Sequence, residues 1–223
     1  GRRCSALQRA GKSERAWLVS NRSGASRYNA RHPTTQRRHL ENRMSFNLVT
    51  PGKDIPNDFN VIIEISAQSD PVKYEADKET GLLRLDRVLY SAVHYPADYG
   101  FIPRTFCDDG DPLDALVISQ EPVHPLTLVE ARAIGVMRMR DEKGIDDKIV
   151  AISVRDPSFA DYTNINQLPG HVMRQVRRFF EDYKVLENKQ VVVEDLLGPD
   201  EAVKIILEAM DLYGKLRRGE LHK

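Results

Sequence analysis

The chain has 223 residues, of which 41% are hydrophobic and 30% are charged, and its formal net charge is zero. This length suits one domain, and no apolar run approaches the roughly 18 residues that a membrane-spanning helix needs. The two cysteines, Cys4 and Cys107, match neither a disulfide framework nor a CxxC metal site, which favours a reducing, intracellular compartment.

The zero net charge hides two different kinds of chain. Residues 1–43 hold eleven Lys or Arg and two acids, a net charge of +9, whereas residues 44–223 hold 22 Lys or Arg and 31 acids, a net charge of −9. Because residues 1–43 lack helical and strand periodicity, we expect disorder there. An organellar transit peptide, a basic nucleic-acid-binding arm and a non-native leader before Met44 would all have this composition.

From Met44 onward the pattern is that of a globular domain. Runs rich in β-branched residues predict strands over 60–65, 82–88, 114–118, 128–140, 148–154 and 190–195. Apolar residues at helical spacing predict one helix over about 168–186 and another that begins near Pro199. Strands come first and helices late, without βαβ alternation. This order predicts an α+β, mainly β fold, with an antiparallel sheet or small barrel flanked by helices.

The segment DGDPLD places Asp109, Asp111 and Asp114 within six residues, between apolar segments. Like charges this close repel each other, and hard cations such as Mg²⁺ would remove the repulsion because they prefer carboxylate oxygens. A solvated acidic turn is the alternative. The segment fits an EF-hand loop poorly, and a haloacid-dehalogenase-type phosphatase would need a parallel sheet that the strand pattern does not offer.

A second acidic loop, DEKGIDD, joins two predicted strands. Its Gly144 permits a tight reversal, so that Asp141 and Asp146 could face the same way, although an ordinary hairpin turn explains the loop as well. Glu64 lies inside the apolar strand VIIEI, where it needs a partner or a metal if it faces the core. The alternation does not show which face it occupies.

Cationic and phenolic side chains accompany the acids along the chain. Those that suit a small polyanion are Lys73, Arg87, Tyr95, Tyr99, Lys148, Tyr183 and Lys184, and Glu75 lies beside the first of them. Solvated lysines and core tyrosines are the simpler alternatives. Metal ions together with Arg, Lys and Tyr donors around one pocket are typical of phosphoryl-transfer chemistry.

In order along the chain, VIIEI, VKYEADKETGLLRLDR, YPADYGFIPRT, DGDPLD, MRDEKGIDDKIVAI and FFEDYK resemble soluble family I inorganic pyrophosphatases of bacterial type. The resemblance runs from Met44 to about Gly214. It implies a five-stranded OB-like barrel flanked by helices, and Mg²⁺-dependent hydrolysis of pyrophosphate to two orthophosphates.

The resemblance also implies roles for individual residues. Asp109, Asp114 and Asp146 are expected to bind one metal ion, with Asp114 bridging to a second, Asp141 and Asp146 forming a third site, and Glu64 supporting a further ion. Asp111 is expected to act as the general base towards a metal-bridging water that attacks in line. The phosphates are expected to contact Lys73, Arg87, Tyr99, Lys148, Tyr183 and Lys184, with Tyr95 and Glu75 lining the same site.

Two other functions compete with this one. Another metal-dependent phosphatase or nucleotide hydrolase is disfavoured because no aromatic stacking motif for a nucleoside is apparent. An OB-like nucleic-acid binder is disfavoured by the net charge of −9 beyond the basic extension. The resemblance further predicts a homo-oligomer, a hexamer rather than a dimer, in the cytoplasm or in an organelle if the extension is a transit peptide. Mn²⁺ is expected as a substitute for Mg²⁺, and neither nucleic acid nor membrane as a partner.

Overall fold

A computed structural model describes residues 46–55, 57–78, 80–142 and 144–221 of the chain. The basic extension predicted over residues 1–43 lies outside these described residues, so its role stays a prediction. Within the described part of the chain, no helix is both long and apolar enough to cross a membrane.

The described residues form ten strands and two α-helices. The strands are β1 (Gly52–Asp54), β2 (Asp58–Ile65), β3 (Val72–Ala76), β4 (Leu83–Val88), β5 (Asp98–Phe101), β6 (Asp114–Ile118), β7 (Leu128–Asp141), β8 (Gly144–Ile145), β9 (Lys148–Ser153) and β10 (Val192–Leu197). Helix α1 (Gly170–Asp182) lies between β9 and β10, and α2 (Pro199–Arg217) follows β10.

Five of the strands close into a ring, in which the order of pairing is β2–β5–β6–β9–β7 and β7 pairs with β2 again. The β6–β9 pair is parallel and the other four pairs are antiparallel. Strands β1, β8 and β10 extend this sheet, while β3 and β4 form a separate two-stranded sheet. The predicted mainly β fold, a five-stranded barrel flanked by two helices, is therefore confirmed.

The closure of the ring depends on the length of β7. Its first residues, from Leu128 to Ala131, pair with β2, and its later residues, from Val136 to Arg140, pair with β10. Its other edge pairs with β9. A close approach of two backbones also contributes, because a Cβ on Gly100 of β5 would lie 2.0 Å from the carbonyl oxygen of Ile62 on β2.

The helices cover two apolar clusters to which the barrel strands contribute alternately. In β6, Leu116 belongs to the cluster that contains Phe179 and Phe180 of α1, whereas Ala115 belongs to the cluster that contains Ala202 and Ile206 of α2. Because successive side chains of a strand point to opposite faces, both faces of these strands are buried. This burial explains why the strands appear in the sequence as continuous apolar runs.

Candidate active site

Thirteen of the fourteen predicted site residues line one cavity of about 310 Å³. They come from seven strands and three connecting segments: Glu64, Lys73, Glu75, Arg87, Tyr99, Asp109, Asp111, Asp114, Asp141, Asp146, Lys148, Tyr183 and Lys184. The fold therefore brings together acids and cations that are up to 120 positions apart in the sequence.

The loop that carries the first acidic cluster is held by hydrogen bonds within itself. The buried hydroxyl of Thr105 donates to Ile102 O (2.6 Å) and accepts from Leu113 N (2.9 Å), which ties the two ends of the loop together. At its tip, Gly110 has a φ of 89°, a conformation that a residue with a side chain rarely adopts. The backbone N–H of Asp111 donates to Asp109 Oδ1 (3.1 Å), so the loop holds both carboxylates at the cavity.

Asp114, at the start of β6, lies at the centre of a buried charge network. Its Oδ2 atom accepts hydrogen bonds from the Tyr99 hydroxyl and from Lys148 Nζ, both at 2.5 Å. Lys148 also donates to Asp146. Burial alone would lower the pKa of Lys148, but the negative charges of Asp114 and Asp146 outweigh it and raise the pKa above its usual range. Lys148 is therefore a permanent cation between two carboxylates.

Helix α1 delivers two further predicted residues to the cavity just beyond its end. Tyr183 is the C-cap residue, and the ammonium group of Lys184 lies 2.9 Å from Asp141 Oδ2 at the end of β7. Burial raises the pKa of Tyr183 and so keeps its hydroxyl protonated as a donor, although the nearby charge of Lys184 acts in the opposite direction.

The β3–β4 hairpin supplies the cations of the opposite wall. Lys73 Nζ lies 2.5 Å from Glu75 Oε1 and 3.1 Å from Asp86 Oδ2. Arg87 pairs with Asp86 through Nη1 (2.6 Å) and with the partly buried Glu187 through Nε (2.8 Å). Each cation is thus held by two carboxylates, which fixes its direction relative to the cavity.

The orientation of Glu64, which the sequence left open, is towards the interior. Its side chain is only 8% exposed, and its Oε1 atom accepts a hydrogen bond from the backbone N–H of Ala76 (2.6 Å). Burial raises the pKa of Glu64 to about 8, despite that hydrogen bond, and the nearby charge of Asp114 adds to the rise. A positive charge brought into the cavity would favour the ionised form.

Tyr95 does not line the cavity and lies behind it in the core. Its ring centroid is 5.2 Å from that of Tyr99 and 4.5 Å from that of Phe179, and the residue is 2% exposed. It precedes β5 in the chain and packs between Phe179 of α1 and Tyr99. Tyr95 was expected to line the site, but in the structure it lies behind Tyr99 and is not among the residues that line the cavity.

Four charged residues that line the cavity were not among the predicted site residues: Lys78, Asp86, Glu142 and Lys189. Glu187 does not line the cavity but pairs with Arg87, which does. Charged residues flank several predicted positions in the sequence, as Asp86 flanks Arg87 and Glu142 flanks Asp141, and this adjacency could have indicated them. The pairing of Glu187 with Arg87 could not be recognised in this way, because the two residues are 100 positions apart in the sequence.

The cavity fits hard divalent cations by the chemistry of its donors. Carboxylate oxygens are the ligands that Mg²⁺ and Mn²⁺ prefer, and the acids predicted as metal ligands all line it. Lys148 already places one positive charge between Asp114 and Asp146, which shows that these carboxylates accept a cation between them. In the described part of the chain, no three acids, histidines or cysteines lie close enough together to form a metal site by themselves.

Comparison with known proteins identifies the family to which these features belong. A profile of the inorganic pyrophosphatase family matches residues 61–214, which include every residue that lines the cavity. The chain belongs to the inorganic pyrophosphatase family.

Individual family members are similar over most of their length. The chain is 54% identical to a soluble inorganic pyrophosphatase of Solanum tuberosum, over 77% of this chain and 81% of that protein. It is 51% identical to an inorganic pyrophosphatase of Ralstonia nicotianae, over 77% of this chain and all of that protein. Among solved structures, an inorganic pyrophosphatase of Thermus thermophilus superposes with a TM-score of 0.73 at 35% identity, over 76% of this chain and 99% of that one.

Proposed function

We propose that the chain hydrolyses inorganic pyrophosphate to two orthophosphates in an Mg²⁺-dependent reaction. One observation carries this proposal. Carboxylates that suit hard cations line the same cavity as Lys, Arg and Tyr donors that suit phosphate oxygens. Membership of the inorganic pyrophosphatase family supports the same substrate.

Five carboxylates would hold the metal ions: Glu64, Asp109, Asp114, Asp141 and Asp146. By the resemblance, Asp109, Asp114 and Asp146 would be ligands of one ion, Asp114 would also serve a second, Asp141 and Asp146 would serve a third, and Glu64 would support a further one. When bound, Mg²⁺, or Mn²⁺ in its place, supplies positive charge that neutralises pyrophosphate and acidifies a water molecule.

Asp111 is the proposed general base. Its side chain lines the cavity and is 62% exposed, and its backbone N–H donates a hydrogen bond to Asp109 within the loop. The carboxylate can therefore contact a water molecule without losing its own hydration. The water oxygen attacks one phosphorus in line with the bridging oxygen, Asp111 takes a proton from the water, and the bond from phosphorus to the bridging oxygen breaks.

The leaving phosphate gains negative charge as that bond breaks. Lys73 and Arg87 from the β3–β4 hairpin and Lys184 from the segment after α1 are the proposed groups that bind it, because their cations are already directed by carboxylate partners. Tyr99, Tyr183 and Lys148 are proposed to donate further hydrogen bonds once substrate and metal ions compete for Asp114 and Asp146.

The resemblance also supports a homohexamer in the cytoplasm, or in an organelle if residues 1–43 are a transit peptide. Exposed apolar residues on the β3–β4 hairpin, Leu82, Leu85 and Val88, support self-association, because each is more than half exposed.

The test is phosphate release from pyrophosphate with Mg²⁺ and with excess EDTA, with ATP and p-nitrophenyl phosphate as control substrates. We expect fast release from pyrophosphate only when Mg²⁺ is present, because the cavity is lined mainly by charged groups and is poorly suited to a nucleoside or nitrophenyl group. Equal release from p-nitrophenyl phosphate would indicate a general phosphatase. No release by the folded protein with Mg²⁺ would refute the proposal.

A further inference from the structure

A second cavity of about 300 Å³ lies beside the first one. Lys78, Phe101 and Pro112 line both cavities, so the two share a wall. The remaining lining comes from Phe46 before β1, from the segment after β5 and from the last turns of α2.

The charge of the second cavity is uniformly positive. Its charged lining residues are Lys78, Arg104 and Arg217, and among the described residues no Asp or Glu side chain lines it. Arg104 donates one hydrogen bond to Leu48 O (3.2 Å), which fixes its guanidinium group at the cavity. Guanidinium groups bind phosphate through paired hydrogen bonds, so the lining selects an anion and favours a phosphate group.

Aromatic rings make up much of the remaining lining. Phe46, Phe106 and Tyr213 are all partly buried, so each leaves some ring surface accessible. Partly exposed rings beside cations suit a planar ring system that carries a phosphate group. The volume is at the lower end of the range for small-ligand sites, which matches a mononucleotide better than a larger cofactor. We propose that this second cavity binds a nucleoside monophosphate.

Reactions that release pyrophosphate can also release a nucleoside monophosphate. When an acceptor attacks the α-phosphorus of a nucleoside triphosphate, the bond to the β-phosphate breaks and pyrophosphate leaves. The nucleoside monophosphate unit stays on the acceptor and is released when that bond is cleaved in turn. Reactions of this class therefore yield both the substrate of the first cavity and the ligand of the second.

A ligand in the second cavity would act on the first one through their shared wall. Thr105, Phe106, Gly110 and Pro112 line the second cavity and belong to the loop that carries Asp111. Lys78 Nζ lies 3.6 Å from Asp111 Oδ1. A bound phosphate would compete for the charge of Lys78 and repel pyrophosphate nearby, which would raise the KM for pyrophosphate. This kinetic effect rests on the proposed function, whereas binding itself does not.

Binding is tested by titrating the full chain with adenosine monophosphate, in calorimetry at low salt with neither pyrophosphate nor metal present. We expect the wild type to bind and Arg217→Gln to weaken the affinity about tenfold, the loss of one charge-assisted contact. Arg218→Gln is the matched control: it removes an identical charge one residue further on, from a side chain that pairs with Glu220 and does not line the cavity. Absence of binding, or equal weakening by both variants, would overturn the proposal.

Kinetics then distinguishes the two cavities. In the second cavity, adenosine monophosphate would raise the KM for pyrophosphate to a plateau. Arg217→Gln would shift the nucleotide concentration at half of this effect about tenfold higher, while leaving the rate without nucleotide unchanged. A KM that rises in proportion to nucleotide concentration without a plateau would mean competition in the first cavity and would refute the proposal. A protein that binds the nucleotide but does not hydrolyse pyrophosphate would refute the proposed function alone.

Discussion

At the scale of single residues, Asp111 differs from Asp109 and Asp114 in the contacts that its carboxylate makes. Asp114 is engaged by a tyrosine and a lysine, and Asp109 accepts a backbone hydrogen bond, whereas the side chain of Asp111 is 62% exposed and its Oδ1 lies 3.6 Å from Lys78 Nζ. An exposed, hydrated carboxylate is suited to accepting a proton from water, which is the reason for proposing Asp111 as the general base.

Asp111→Asn should lower turnover by about a hundredfold or more, because an amide cannot accept the proton from the attacking water. The thermal unfolding midpoint should stay near that of the wild type, since the side chain is exposed. Asp108→Asn is the control, because Asp108 is an exposed neighbour that does not line the cavity. Near-normal turnover in Asp111→Asn would show that another group takes the proton.

Glu64 gives the protein a specific dependence on pH when metal ions are removed. Its pKa is about 8 in the folded chain and 4.5 in the ordinary carboxyl group, so the folded state keeps a proton that the unfolded state releases between these values. Raising the pH through this window therefore favours unfolding. In EDTA, Glu64→Gln should lose less stability than the wild type between pH 5 and pH 9, by up to a few kcal/mol.

The measurement is the free energy of unfolding in denaturant at both pH values. Glu121→Gln serves as the control, because Glu121 is exposed and does not line the cavity. Parallel pH profiles for the wild type and Glu64→Gln would mean that Glu64 is ionised in the folded protein without a metal ion.

Glu187 does not line the cavity but pairs with two cations that do, Arg87 at 2.8 Å and Lys189 at 3.9 Å, and we expect it to position Arg87 for the substrate. Glu187→Gln removes the charge that orients the guanidinium group, so we expect the KM for pyrophosphate to rise about tenfold with a smaller change in kcat. Glu181→Gln provides a comparison on the neighbouring helix, where the acid pairs with Arg177 at the surface. A fall in kcat with an unchanged KM would contradict a role in positioning Arg87.

The thiol of Cys107 lies two residues before Asp109 in the sequence, and this position predicts that its oxidation or alkylation impairs activity. Burial, reinforced by the nearby acids, raises its pKa to about 12, so very little thiolate forms at neutral pH. Because the thiolate is the reactive form, we infer that alkylation of this cysteine in the folded chain is slow.

At the scale of elements, the loop between β5 and β6 depends on the hydroxyl of Thr105. Thr105→Val keeps the shape of the side chain but leaves the buried N–H of Leu113 without its acceptor. We expect a loss of about 1–3 kcal/mol in the free energy of unfolding, together with reduced activity because the loop carries Asp109 and Asp111. Thr163→Val is a suitable control, because the hydroxyl of Thr163 makes a long, exposed hydrogen bond (3.3 Å). Equal stability of the two variants would contradict the role of Thr105.

The sequence predicted the long elements better than the short ones. Strand β6 has the predicted bounds, and the bounds of β2, β4, β7 and β9 differ by one or two residues. Strands β1, β3, β5 and β8 were not predicted, because they are short and, unlike the equally short β6, contain no run of apolar residues. Helix α1 ends at Asp182 rather than near 186, since Tyr183 and Lys184 turn into the site and Asn188 adopts a left-handed conformation.

The site was predicted by composition and resemblance more than by geometry. Acids in short loops indicated cation binding because their repulsion needs a counter-charge, and thirteen of the predicted residues do share one cavity. The direction of Glu64 could not be predicted, because β2 is buried on both faces and shows no alternation. The ion pair between Arg87 and Glu187 could not be predicted either, because it depends on the packing of a hairpin against the end of a helix.

At the scale of the whole molecule, the proposed hexamer is tested by sedimentation velocity of the full chain. We expect a species of about six times the mass of the chain, with Mg²⁺ present. Leu85→Lys should reduce assembly if the exposed face of the β3–β4 hairpin is part of an interface, whereas Leu207→Lys, on the exposed side of α2, is the comparison. A monomer at micromolar concentration would contradict the proposed assembly.

The closed ring of strands also affects the tendency of the most apolar segments to aggregate. Runs such as VIIEI and KIVAIS combine high β-propensity with few charges, the composition that promotes fibril formation when a strand edge is open. In the ring, every such strand has a neighbour on both sides, so it offers no free edge to another molecule. The strands that end the sheet path are β1, three residues long, and β10, which carries Glu194 and Asp195 and a register shift. Short, charged or irregular edges are poor templates, so the same closure that assembles the cavity also protects the folded chain from aggregation.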